Sequence, residues 1–294
     1  MAYAFDQSDP GMEAALRRIA RHELAAAYGY VAPKTPLSVT AVHEIRKHLK
    51  KTRAVLRLVR SGFPDFRAEN AALRTIGRAL SATRECDVRL ATFDRLTQDK
   101  PQDDLPVLRA CLAADAGTAA TLPPGLAADL HSLVRRSRSW TLHGSGRKAV
   151  LSGLIGNRQD ARRALHLASR DMSAAEPVHE LRKHAKDHWY HARLFTPVWP
   201  EVMTPIADAA DRLGEALGDF RDITLLEAHV AGLHDLAPPA RAAFDVRAAS
   251  ARVELQGVAM PLAHRLFAGD AREIAAVWMD WRRVWRQAEV QTIS

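Results

Sequence analysis

Two stretches, Val42-His43-Glu44-Ile45-Arg46-Lys47-His48-Leu49-Lys50 and Val178-His179-Glu180-Leu181-Arg182-Lys183-His184-Ala185-Lys186, are one segment written twice. They differ only at their fourth and eighth positions, and each is followed by an Arg-Leu pair, Arg57-Leu58 and Arg193-Leu194. On a helix turning about 100° per residue, steps of three, seven and fourteen bring His43, Arg46, Lys50 and Arg57 within an arc of roughly 60°. His179, Arg182, Lys186 and Arg193 form the matching stripe. Val42, Ile45, Leu49 and Leu56 make the apolar seam beside the first stripe, so the cations border a helix–helix contact. Val178, Leu181, Ala185 and Ala192 do the same for the second. Aligned donors of this kind suit a run of closely spaced anions, and phosphate oxygens are the commonest such partner.

The repeat extends further. Gly77, Ala79, Leu80 and Arg84 match Gly214, Ala216, Leu217 and Arg221 at an offset one residue longer, with Glu85 opposite Asp222. A helix pair is therefore duplicated, which divides the 294 residues into two related halves, 1–143 and 144–294, with the boundary near His143 to Gly146. Apolar residues recur at spacings of three and four rather than two, so the fold class is all-α. Pro and Gly punctuation places helices at about 11–28, 38–61, 66–97, 104–119, 125–141, 148–171, 176–195, 203–232, 239–256 and 270–291. The Gly144-Ser145-Gly146 stretch reads as an interhelical turn.

Lys and Arg outnumber Asp and Glu by 42 to 34. The surplus is local, because residues 201–294 hold 14 acids and 10 bases, leaving +12 on the first 200. A local basic field calls for a negatively charged partner. Arg46 to Arg60 holds seven bases and no acid, which helix stability alone does not explain, since like charges at i,i+4 repel. The alternative is a solvated face whose Lys and Arg stems cover the core; one copy would favour it, two copies favour a ligand. Cys86 and Cys111 lie far apart without metal-type spacing, so neither a disulfide framework nor a zinc site is expected. The N-terminal residues lack a basic region leading into an apolar one, and no apolar stretch approaches the roughly 20 residues that span a bilayer. A soluble, cytoplasmic protein is expected.

Three other constellations favour structural readings. His184, His188 and His191 stand at i, i+4 and i+7, a spacing that can bind a metal, but copy one has His48, Thr52 and Val55 there, so core or surface histidines are expected and no metal. Asp208, Asp211, Glu215, Asp219 and Asp222 form an acidic ladder that could hold Mg²⁺ for phosphoryl chemistry. Copy one replaces Asp211 and Glu215 with Arg74 and Arg78, and a shared catalytic site should not invert its charge, so a solvated or salt-bridged face is expected. Trp278, Trp281 and Trp285 at i, i+3 and i+7 read as a packed C-terminal helix. The chain contains no Walker loop, nucleophile elbow, zinc-protease motif or dinucleotide fingerprint.

On these residues the chain resembles the CHAD family, α-helical domains named for their characteristic histidines and associated with inorganic polyphosphate. His43, Arg46, Lys50, Lys51 and Arg53 match that family's His-x-x-Arg-x-x-x-basic-basic-x-Arg pattern, and His179, Arg182, Lys183, Lys186 and Tyr190 match its partner motif. Leu80 to Glu85 and Leu217 to Asp222 fit the helix following each motif, and Gly153 to Leu165, with Arg158, Arg162 and Arg163, resembles the basic helix before the second. The resemblance, over about residues 12–285, implies two pseudo-symmetric four-helix-bundle-like halves with a basic groove or cavity, and polyphosphate binding rather than chemistry. Copy two departs from the pattern at Asp187 and Trp189, where a basic residue is commoner, so the resemblance does not imply equal contribution by the halves. Relatives are often fused to a triphosphate-tunnel domain, whose Glu-x-Glu-x-Lys signature is absent, so a stand-alone module is expected.

The expected function is non-catalytic binding of long-chain inorganic polyphosphate, without cofactor, with attachment to polyphosphate granules as one consequence and sulfate or phosphate as simple occupants of the site. Phosphoryl oxygens would be contacted by Arg46, Lys50, Arg53, Arg57, Arg182, Lys186 and Arg193, with His43 and His179 as hydrogen-bond donors. Lys47, Lys51 and Lys183 lie within the motifs. Arg17, Arg21, Arg158, Arg162 and Arg163 would widen the positive surface, with Arg84 and Arg221 at its edge. A nucleic-acid-binding module and a Mg²⁺-dependent polyphosphate hydrolase are the alternatives.

Overall fold

The computed structural model describes residues 3–31, 37–80, 85–98, 105–115, 124–234 and 236–292, and these contain α-helices and no strand. The helices are α1 (Met12–Gly29), α2 (Val39–Leu58), α3 (Phe66–Ala79), α4 (Glu85–Thr97), α5 (Pro106–Asp115), α6 (Leu126–Arg136), α7 (Gly146–Arg170), α8 (Ala175–Phe195), α9 (Pro200–Ala231), α10 (Pro238–Leu266) and α11 (Ala271–Thr292). The two copies of the basic segment are α2 and α8. Ser38 starts α2 as sequence logic requires, its hydroxyl accepting from the Ala41 N–H at 3.1 Å.

Three apolar cores organise the helices. The first gathers α1, α2, α3 and α6 with the first half of α7, the C-terminal half of α8 and α11. The second is built by the rest of α7 and α8 with α9 and the end of α10. The third joins α4 and α5 to the C-terminal half of α9 and the start of α10. The first and third cores draw on both sides of Gly144, which turns the chain at φ +71°, so packing is continuous across the expected boundary.

The twin helices touch directly. The Ala54 carbonyl on α2 lies 3.2 Å from His191 Nε2 on α8. The N-terminal segment ties the pair from one side: the Phe5 N–H donates to the Leu194 carbonyl at 3.0 Å, and the Tyr3 hydroxyl to the Lys51 carbonyl at 3.4 Å. Helix α7 crosses the end of α2 so closely that a Cβ on Gly153 would lie 1.8 Å from the Leu58 carbonyl oxygen. Only glycine permits that approach.

The helix expected at 125–141 ends five residues early at Arg136, and two other helices depart further from the periodicity. The expected 66–97 helix is two, because its halves serve different cores: Leu73 and Ile76 of α3 enter the first, Phe93 of α4 the third. Periodicity reports which face is apolar, not which core that face enters. Helix α10 runs ten residues beyond the expected end at 256 and contains Pro261. Burial of Ala259 and Ala263 in the second core holds it helical past the missing donor, and Arg158 satisfies the carbonyls of Leu266 and Ala268 at its end, at 2.9 and 2.7 Å.

His188 and His191 are buried on α8. His188 packs on Phe267 and Trp278 at 5.5 and 5.4 Å, and burial, with Arg158 nearby, pushes it down to about 3. Burial likewise lowers His191, against the opposing field of Asp187, to about 4. Both folded values lie below that of an unfolded histidine, near 6.5, so the unfolded chain takes up protons that the folded chain refuses. Their contribution to stability is complete above that value and is lost as pH falls from it toward 4 and 3. Urea unfolding between pH 7 and 4 is expected to show stability falling by up to about 1.4 kcal/mol per pH unit for each histidine, with a shallower slope in His188→Phe. A pH-independent midpoint would contradict this placement of the two rings.

Candidate functional site

The contact between α2 and α8 sets the site. Arg57 reaches across to Asp187, its Nε donating to Oδ2 at 2.6 Å while Nη2 pairs with Oδ1. The Asp187 side chain is 3% exposed and that of Arg57 22%, so this bidentate pair is largely removed from water. Tyr190 lies beside it. Burial raises the Tyr190 hydroxyl well above its ordinary value, Arg193 and Arg57 oppose that rise, and Asp187 and Asp211 add to it. Groups from both stripes thus act on one buried hydroxyl between the two helices.

On α2 the cations are crowded. Arg46 Nη1 donates to the Gly77 carbonyl on α3 at 3.0 Å, and Arg53 Nε to the Asn70 side chain at 3.1 Å. Burial lowers Arg53 to about 10, and Arg57, Arg74 and Arg78 push it the same way against Asp187. Arg74 and Arg78 are exposed on α3, as Lys50 and His43 are on α2. Lys47 pairs loosely with Glu44 at 3.4 Å. Lys51 turns inward to Glu23 at 3.1 Å and lies 5.3 Å from the Tyr3 ring, and His48 shares the same carboxylate at 2.5 Å.

On α8 the charges are largely answered. Lys186 donates to Asp211 on α9 at 2.7 Å, its stem lying over Gly214, where a Cβ would come within 2.6 Å of Cε. Arg182 packs over Gly218, and burial lowers it, with Asp222 and Asp219 opposing and Arg221 adding to the drop. Its Nε is buried without a hydrogen-bond acceptor. Asp222 is raised by burial despite Arg182 and Arg221. The guanidinium of Arg193 stacks over Trp189 at 5.1 Å and Tyr3 at 5.8 Å. Lys183 pairs with Glu180, while His179 and Arg221 line an open cleft of about 310 Å³ between α8 and α9.

The structure commits most of the remaining basic residues elsewhere. Arg17 donates to the Trp140 carbonyl at 2.7 Å and pairs with Glu13. Arg158 bonds the Leu266 carbonyl at the end of α10, Arg162 the Gly269 carbonyl at 2.8 Å in the turn that follows, and Arg163 pairs with Asp160 on its own helix. Arg21 is exposed on α1. Arg84 lies outside the described residues.

The other constellations resolve into ordinary contacts. His184 Nδ1 lies 2.9 Å from the Asn157 side chain, so the three histidines of α8 part to three different neighbours. In the acidic ladder Asp211 is bound by Lys186 and Asp219 by Arg95 at 2.8 Å. Trp278 packs on Phe195 and Trp281 on Trp199, at 5.3 and 5.0 Å. The sequence reading missed Arg74 and Arg78 as neighbours of the α2 cations, although their i,i+4 spacing beside the repeated glycine was a usable signal. It missed Tyr3 altogether, because an N-terminal tyrosine outside any periodic segment carries no such signal.

Removing one partner of the Arg57–Asp187 pair leaves an uncompensated charge against the helix contact. Asp187→Ala is expected to cost about 3 kcal/mol in urea unfolding, while the double variant Arg57→Met with Asp187→Leu recovers most of that loss. A single variant as stable as the parent chain would contradict the buried pairing.

A family model described as CHAD domain matches residues 11–231. Among solved structures, the crystal structure of the CHAD domain from the plant Ricinus communis aligns with a TM-score of 0.57 over 95% of each chain, at 18% identity, which speaks for a shared fold. No curated protein matches the chain at a significant level.

Proposed function

We propose, from the premise that this chain belongs to the CHAD family, that it binds linear inorganic polyphosphate without chemical change, chiefly along α2 and α3. The carrying observation is the crowding of α2 cations against α3, where Arg53 bonds Asn70 at 3.1 Å and Arg46 the Gly77 carbonyl at 3.0 Å, so that burial together with Arg57, Arg74 and Arg78 lowers Arg53. Cations held this close repel one another, and a polyanion laid over them converts that repulsion into attraction. Family membership is consistent with such a ligand.

The geometry supports a polymer rather than a single ion. From His43 to Arg57 is about 21 Å at 1.5 Å rise per residue, so successive phosphoryl groups can meet successive turns of the helix. Each charge-assisted contact contributes about 1.5–3 kcal/mol before the cost of ordering a long side chain. The α8 stripe is the weaker contributor, since Lys186 already holds Asp211 and Asp187 places a carboxylate on that helix, the carboxylate that also engages Arg57 at the end of α2. Arg182, with its buried and unanswered Nε, is the exception on that helix. Engagement of Asp211 and Asp219 by cations supports the non-catalytic reading over a Mg²⁺-dependent hydrolase. Attachment to polyphosphate deposits would follow from the same surface.

Calorimetric titration at physiological salt is expected to give much tighter binding of long-chain polyphosphate than of triphosphate at equal phosphate. The triple variant Lys50→Gln, Arg74→Gln, Arg78→Gln, with helicity unchanged by circular dichroism, is expected to lose about 100-fold in affinity, and Lys186→Gln clearly less. Equal affinity for the two ligands, or displacement by duplex DNA at equal phosphate, would overturn the reading in favour of a small-anion or nucleic-acid site.

A further inference from the structure

A second cationic pocket shares no residue with the surface just described. It lies where α1 and α7 begin, and its walls include Gly11 to Glu13, Gly144 to Arg147, and Arg282, Arg283 and Arg286 of α11. The two helix starts abut: a Cβ on Gly146 would sit 3.2 Å from the Glu13 backbone nitrogen and 3.1 Å from the Met12 Cβ. Neither start is capped by a side chain, Gly11 having none to offer and Ser145 making no such bond. Two sets of unused N–H groups, each at the positive end of a helix of 18 or 25 residues, therefore share one opening.

Arg282 supplies the independent sign. It is 7% exposed, it lines this pocket, and its Nε and Nη2 have no hydrogen-bond acceptor. Its guanidinium lies 5.0 Å from the centre of the Phe5 ring, a contact that holds its plane without satisfying its donors. Burial lowers it to about 10, Arg286 adds to that, and Asp9 opposes. The acids nearby are occupied. Asp9 is bound by Arg18 at 2.8 Å and by the Asp6 N–H at 3.0 Å, and Glu13 by Arg17 and by the Leu142 N–H at 2.9 Å. Exposed Asp280 lies only loosely beside Arg147 and Arg283, at 3.8 and 3.6 Å.

We propose that this pocket is an anion site for a small phosphate-type oxyanion, received on the paired helix starts of α1 and α7 and on the free donors of Arg282, with Arg286 and Arg147 at its mouth. The Gly144-Ser145-Gly146 turn is then part of the cradle. Its left-handed Gly144 turns the chain into α7, and the missing Cβ of Gly146 leaves the α1 amides open. The site takes a single phosphate or diphosphate group, so its affinity does not grow with polymer length.

The test is a titration of the isotope-labelled full chain with pyrophosphate and, separately, orthophosphate at low salt, following backbone amides by NMR. Saturable shifts are expected at Met12, Glu13, Gly146 and Arg147. Arg282→Met is expected to weaken binding at least about tenfold and Arg286→Gln several-fold, while Arg182→Met leaves these shifts unchanged. Arg282→Met is also expected to melt higher than the parent chain without anion, because it removes a buried charge whose Nε and Nη2 have no hydrogen-bond acceptor. If that variant does not fold, Arg286→Gln and the amide map decide. Shifts confined to α2 and α8, or affinity undiminished in Arg286→Gln, would overturn this site without touching the polyphosphate reading; shifts at the α1 and α7 starts lost with Arg282 or Arg286 establish it even if polyphosphate fails to bind.

Discussion

Two helices that each carry a row of cations have to touch, and the Arg57–Asp187 pair makes that contact possible. With a lysine or arginine in place of Asp187, the contact would bring further positive charge beside Arg57 in a partly dry seam. A carboxylate 3% exposed, bound by both arms of an arginine, removes that repulsion and fixes the register of α2 on α8. Tyr3 and Phe5, the Ala54 carbonyl and the ring of His191 pack around the same seam. Asp187 thus joins the two copies of the basic segment.

Charge distinguishes the two copies of the basic segment. One copy keeps most of its cations next to further cations, Arg74 and Arg78, and gives Arg57 to Asp187; the other sets Lys186 against Asp211 and Arg182 near Asp219 and Asp222. Duplicated segments therefore do different work: α2 with α3 holds an electrostatic surplus, and α8 with α9 spends its charges on internal pairing. Arg182, whose buried Nε has no acceptor, is the exception in the second copy.

Much of this was legible in the residues. The period-three-and-four pattern and the repeat identified α2 and α8, and the Pro and Gly breaks located most of the other helices to within a few residues. The inverted charge at Arg74 and Arg78 against Asp211 and Glu215 was readable too, but as an argument against catalysis; its meaning for binding needed the proximity of α3 to Arg53. The division of 66–97 and the length of α10 were not legible, because each depends on which core a helix enters. Arg158 and Arg162 look like phosphate ligands by composition and hold the end of α10 and the turn after it by geometry, a distinction carried by residues more than 100 positions away. The role of Gly146 likewise depends on α1, which no local pattern reveals.

The account rests on a polyanion lying along α2, where exposed Lys50 stands among half-buried arginines. Lysine-acetylation footprinting by mass spectrometry tests this most directly, comparing the free chain with the chain saturated by long-chain polyphosphate. The account requires strong protection of Lys50 and little change when triphosphate replaces the polymer at equal phosphate. Unchanged reactivity of Lys50 at saturating polymer would contradict it.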